Sequence, residues 1–205
     1  MKLKAFALGA LLAMGTLTAS AQSAGELRFG VTGGMNVTNI TNLGLDSKIG
    51  FNAGFRGEYN FSKNFYMNAG LLWSMKGAKG DGEIGGVKIT YTDNPSYIEI
   101  PIAFGGRYFI DNGLSIFAET GPYFAVGVCG KDKIKGEALG HSKTEKVDFF
   151  GDDGAKRFDA GWGLRAGVEV NKFQIHLGYE HGFVNMYDDE SCKNWNFNVG
   201  LTYMF

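Results

Sequence analysis

The last twelve residues, Asn194–Phe205, leave few choices of fold. Trp195, Phe197, Val199, Leu201, Tyr203 and Phe205 take every second position, with Asn194, Asn196, Asn198, Gly200, Thr202 and Met204 between them. A period of two describes a strand with one apolar and one polar face. A helix made of the same residues would scatter its apolar side chains around the axis. Alone, this stretch could be a half-buried edge strand of a soluble sheet, so the remaining chain has to decide its surroundings.

The same alternation recurs over Leu27–Val37, Lys48–Asn60, Phe65–Lys76, Ser96–Phe109, Leu114–Val128, Arg157–Val170 and from Phe173 to Glu180. With the closing stretch this makes eight strands, near the ~9–11 residues a tilted membrane-crossing strand needs. Their connections alternate in length. Ser62-Lys63-Asn64, Asp111-Asn112-Gly113 and Asn171-Lys172 are tight turns. The segments 38–47, 77–95 and 129–156 and the stretch before Asn194 are long and polar. A soluble sandwich has no cause for that rule, whereas a membrane barrel has short turns on one side and long loops on the other.

The aromatics sort in the same way. Phe29, Tyr59, Phe65, Tyr108, Phe173, Tyr203 and Phe205 fall at the turn side, and Phe51, Trp73, Phe124, Phe158, Trp162 and Trp195 at the loop side. Two aromatic belts around an aliphatic band fit a lipid-facing wall. The expected fold is therefore all-β: an eight-stranded antiparallel up-and-down transmembrane β-barrel with short periplasmic turns and long outer loops. The last strand should pair with the first, since closure removes both edges.

Mean hydropathy is only −0.10, which disfavours helical spans but leaves a barrel open, because alternating strands average out. Met1-Lys2-Leu3-Lys4, the apolar run from Ala5 to Leu17 and Ala19-Ser20-Ala21 read as an export signal over residues 1–21, with the barrel domain over 22–205. Losing Lys2 and Lys4 would leave 18 basic against 21 acidic residues. That balance offers no basic patch for nucleic acid.

In a barrel of eight strands, side chains fill the interior. Strand parity sends Arg56, Glu58, Glu99, Arg107, Glu119, Asp159, Arg165, Glu169, His176 and Glu180 inward. Acids and bases together predict interlocked ion pairs, with a proton or ion path as the alternative. Pro101 and Pro122 lie inside strands, where a missing donor predicts bulges or widened pairing. Among the three histidines, His141 adjoins Ser142 in a loop, His176 points inward and His181 lies at the outer rim with no nearby serine to complete a hydrolytic pair. Gly161-Trp162-Gly163-Leu164-Arg165-Ala166-Gly167 lacks nucleotide-loop spacing, and its glycines share the inward parity.

Cys129 and Cys192 fall in two loops on one side of the membrane, making them a candidate disulfide. The third loop has six lysines (131, 133, 135, 143, 146, 156) and six acids (132, 137, 145, 148, 152, 153), a balance read as a solvated loop without a single-sign surface. Asp188-Asp189-Glu190 lacks the spacing of a calcium loop. No cofactor, metal or catalytic residue is assigned.

Ser96-Tyr97-Ile98-Glu99-Ile100-Pro101, Gly121-Pro122-Tyr123, Phe158-Asp159-Ala160-Gly161-Trp162-Gly163, the run Gly178 to Asn185 and the terminal Tyr203-Met204-Phe205 together resemble the small outer-membrane barrels called porin-family, PorT-like or outer-membrane β-barrel-domain proteins. The resemblance covers essentially all of 22–205. It implies an outer-membrane location, outer-membrane lipid as surroundings, and barrel-assembly machinery as the partner that reads Tyr203 and Phe205 as an assembly signal. It implies little about activity, because members share a barrel and differ in loops. The leading expectation is a non-enzymatic barrel with a filled lumen serving surface interaction or envelope integrity, with an extracellular ligand left open. A narrow channel or secretion accessory comes next, and a lipid-modifying enzyme last.

Overall fold

The computed structural model describes residues 24–84, 87–111, 113–138, 141–150, 154–187 and 191–205. The export signal, Asn112 of the second turn, Asp152 and Asp153, and Asp188-Asp189-Glu190 lie outside the described residues.

Eight strands close into a ring: β1 (Leu27–Ile40), β2 (Asp46–Asn60), β3 (Phe65–Met75), β6 (Pro95–Asp111), β7 (Leu114–Ala138), β9 (Phe158–Val170), β10 (Phe173–Gly182) and β11 (Asn194–Met204). Each pairs antiparallel with its sequence neighbour in the ring, and β11 closes on β1 from Gly30↔Met204 to Ile40↔Asn194. The Phe205 amide donates to the Phe29 carbonyl at 2.8 Å, so the seam is paired to the last residue. The alternation explains the ring. One face of every strand is left outward, with Phe65 at 66 % exposure, Ile49 at 61 % and Leu164 at 55 %. An apolar outer face of that extent fits hydrocarbon, and a closed ring is the only sheet that leaves no unpaired edge in it. On the turn side, rings of Tyr59, Phe61 and Phe104 and of Phe173, Tyr203 and Phe205 stand 5.0–6.4 Å apart in a belt.

Two long segments expected as loops are folded. β4 (Ala78–Ile84) and β5 (Val87–Thr92) form a hairpin, and β8 (His141–Asp148) pairs with the far half of β7. β7 runs 25 residues, leaving the barrel wall to become an interior strand of an outer sheet ordered β2-β4-β5-β7-β8. Water bathes both faces of this sheet, so neither needs an apolar stripe. Val87, Ile89 and Tyr91 against Lys88, Thr90 and Thr92 supply β-formers without the contrast that marks the wall.

Of the two outcomes expected at the prolines, the ladder shows widened pairing rather than a bulge. Pairing of β6 lapses at Ile100 and Pro101 against β3 and at Ile102 and Ala103 against β7, then resumes in the same register. A missing donor weakens local pairing, but alternation on both flanks holds the register. The register shifts lie instead at Ser96/Tyr97 and Phe109/Asp111, toward the ends of β6.

Where the outer sheet joins the barrel, Asp93 is buried beside Asp132 and Tyr91, with Lys48 of β2 nearby and Lys133 beyond it. Burial pushes the Asp93 carboxyl up to about 7; the Tyr91 hydroxyl opposes this and the Asp132 carboxylate adds to it. Since the folded value stands above the ordinary 3.8, protonation favours the docked sheet. That stabilisation is complete below 3.8 and is lost as pH rises through about 7. Hydrogen exchange around Tyr91–Asp93, corrected for intrinsic rates, should show opening more often at pH 8.5 than at pH 5.5. Asp93→Asn should flatten this dependence, and an unchanged slope would exclude the carboxyl as its origin.

Candidate functional site

The inward faces form three stacked rungs. Nearest the turns, Glu58 accepts from Arg28 at 3.1 Å and from Arg107 at 2.9 Å, while Glu169 meets the same arginines at 2.8 and 3.0 Å. Gln174 donates to Glu169 at 2.9 Å. Two guanidinium groups and two carboxylates, drawn from β1, β2, β6 and β9, tie strands across the lumen. In the middle, Glu119 accepts from Arg165 at 2.7 Å and lies 3.6 Å from Arg56, which donates to Asn68 at 3.2 Å. Arg165 also approaches His176 Nδ1 at 3.4 Å. Because arginine can only donate, Nδ1 is the acceptor and the ring proton sits on Nε2. The outer rung centres on Lys76, which pairs with Glu99 at 2.7 Å and Glu180 at 3.5 Å and lies 4.4 Å from the Tyr123 ring centre. Asp159 receives Tyr123 at 3.2 Å and Asn194 at 3.0 Å.

All ten charged or imidazole side chains assigned to the interior by parity point there; nine are under 10 % exposed, and Glu180 is half-buried. Two members were overlooked. Arg28 carries the same inward parity as Thr32 and Asn36, which was enough to find it. Lys76 follows Ser74 by two but stands just past the end of β3, where parity gives way to turn geometry. Without these two cations the rungs would hold a large acidic excess.

Above the outer rung the mouth is closed by apolar side chains: Ile40 from β1, Tyr97, Tyr123 and Ala125 from the wall, Phe149, Phe150 and Ala155 after β8, and Met186 and Cys192 before β11. Between the middle and outer rungs remains a cavity of about 40 Å³ bordered by Arg56, Glu119, Arg165, Glu180 and Asn198. It has room for about three waters.

The cysteines do not form the expected disulfide. Both are thiols, with Cys129 exposed and Cys192 buried in the apolar cap. The β-bulge at Val128 turns Cys129 to the outside of the wall, so the wall stands between the two sulfurs. His181 sits cross-strand from both Trp162 and Trp195 at the outer rim. His141 opens β8. A Cβ on Gly161 would meet the His181 carbonyl and the Tyr123 ring, so that glycine serves close packing. Among the described residues, no group of three or more His, Cys, Asp or Glu is placed to hold a metal, and no helix is long and apolar enough to cross a membrane.

A closed antiparallel barrel with an apolar exterior and a charge-paired interior defines the class: a membrane β-barrel. Residues 9–205 match the outer membrane protein β-barrel domain family, and the chain belongs to it. No curated protein matches it in sequence. Among solved structures it is similar to Ail, the attachment invasion locus protein of Yersinia pestis (16 % identity, 88 % of this chain and 99 % of that one, TM-score 0.42). It is similar also to Neisserial surface protein A (10 %, 86 % and 97 %, 0.45) and to OprG from Pseudomonas aeruginosa (8 %, 91 % and 99 %, 0.46).

Proposed function

We propose that this outer-membrane barrel is a non-enzymatic, non-conducting scaffold that is exported through residues 1–21 and presents its outer sheet for surface interaction or envelope integrity. The observation that carries this reading is the filled interior: three ion-paired rungs under an apolar cap, with a cavity of about 40 Å³ between the middle and outer rungs. Ions crossing such a lumen would have to break buried pairs at a cost of several kcal/mol each. His181, set between tryptophans, serves as an interfacial side chain. The second reading is a narrow channel or a PorT-like secretion accessory, and the charge-lined cavity beside Arg56 and Glu180 is what favours it. Planar-bilayer recording separates the two. The scaffold predicts a silent membrane after verified insertion of folded protein, and reproducible unitary conductance would defeat it.

A further inference from the structure

The balanced charge count of the third loop conceals a segregation by face. Up to Gly127 the even residues of β7 face outward, and Phe124, Val126 and Val128 are 45 %, 50 % and 42 % exposed. The extra residue at the Ser96/Tyr97 register shift, where Cys129 and Gly127 but not Val128 find partners, reverses this parity. A Cβ on Gly130 would point in toward Phe149 and Pro95. The exposed Lys131 and Lys133 therefore continue the outward face, directly above the apolar stripe, while Asp132 turns to the other side. Lys146 stands opposite Lys133, a like-charge pair that repels unless an anion lies between them.

Lys131 and Lys133 border a recess of about 550 Å³ with Arg157, Asn94 and, among the described residues, a single acid, Asp148. Arg157 is held over the Phe150 ring at 5.1 Å, donating to the Gly127 carbonyl at 3.0 Å and the Phe150 carbonyl at 3.3 Å. That leaves part of its five-donor fork for an anion. Lys131 lies roughly 10 Å along the strand from Val128, less in height because of strand tilt, which matches the depth at which hydrocarbon gives way to headgroups.

We propose that this recess binds the phosphate of an outer-leaflet lipid, whose acyl chains run down the Phe124–Val126–Val128 stripe beneath it. The proposal rests on the membrane-barrel reading and adds an occupant to it. A free phosphate would use the cations alone; a lipid uses both the cations and the apolar stripe below them, which is why the lipid is preferred.

The test titrates the full-length folded barrel in neutral detergent with diphosphoryl lipid A, read by native mass spectrometry, and checks each protein first for compact unheated gel mobility. Lys131→Gln with Lys133→Gln should weaken binding about 30-fold at low salt. Lys143→Gln, on the opposite face and paired with Glu145 at 2.7 Å, should leave it unchanged. The single Lys131→Gln provides a milder variant with a partial loss. Equal affinity of the double variant and wild type overturns the proposal, as does equal competition by inorganic phosphate alone. Wild-type protein that never becomes compact would overturn the barrel reading as well; a compact protein whose lipid affinity ignores these lysines overturns only the lipid site.

Discussion

Glu58→Gln is expected to lower barrel stability by about 3 kcal/mol or more, measured as urea-induced unfolding in lipid vesicles. Glu58 is fully buried and accepts from Arg28 and Arg107, with Gln174 3.4 Å away. Neutralising it leaves two buried guanidinium groups sharing Glu169. The paired substitution Glu58→Met with Arg28→Met should cost markedly less than Glu58→Gln, because it removes a charge together with its partner and leaves Arg107 with Glu169. Additive losses would show that the rung is not an interlocked unit.

Gly121→Val is expected to cost about 3 kcal/mol and to deplete the compact form in gels. A Cβ there would stand 2.0 Å from the Ile102 carbonyl oxygen and 2.7 Å from the Ala103 Cα, both backbone atoms that cannot swing aside. The site lies where pairing between β6 and β7 lapses, so the two strands approach closely with little ladder to hold them apart. Gly33→Val is the control. Its nearest neighbour would be the Asn52 carbonyl at 3.7 Å, and the new side chain would join the outward apolar face. Equal loss at both positions would mean that valine at any strand glycine disturbs the wall, contradicting the close-approach explanation.

The wall was legible because lipid imposes a strict rule. Each crossing strand must show an apolar residue outward at every second step, so Ile49, Phe51, Ala53 and Phe55 reveal β2 without any partner in view. The same parity located the interior charges, since only two directions exist. The rule ends with the hydrocarbon. Lys131-Asp132-Lys133-Ile134-Lys135 alternates as regularly as any wall strand, but with water on both sides the alternation reads as a polar loop, although it is paired on both sides within a sheet. Of the two outcomes expected at the prolines, the structure shows the widened pairing and not the bulge, for a related reason. Proline removes one donor, whereas register depends on side-chain alternation over the whole strand, so Pro101 and Pro122 interrupt pairing without shifting it. The shift at Val128 has no residue signature, and it alone decides that Cys129 turns away from Cys192. Lys76 marks the same boundary from inside: one residue past β3, it completes the outer rung.

The fold and the function proposed for it both require a barrel that spans the outer membrane. Separated inner- and outer-membrane fractions, run on gels with and without boiling, test this most directly. The protein should reside in the outer-membrane fraction, the unheated form should migrate faster, and boiling should shift it upward. A soluble periplasmic protein with a single mobility would contradict the spanning barrel.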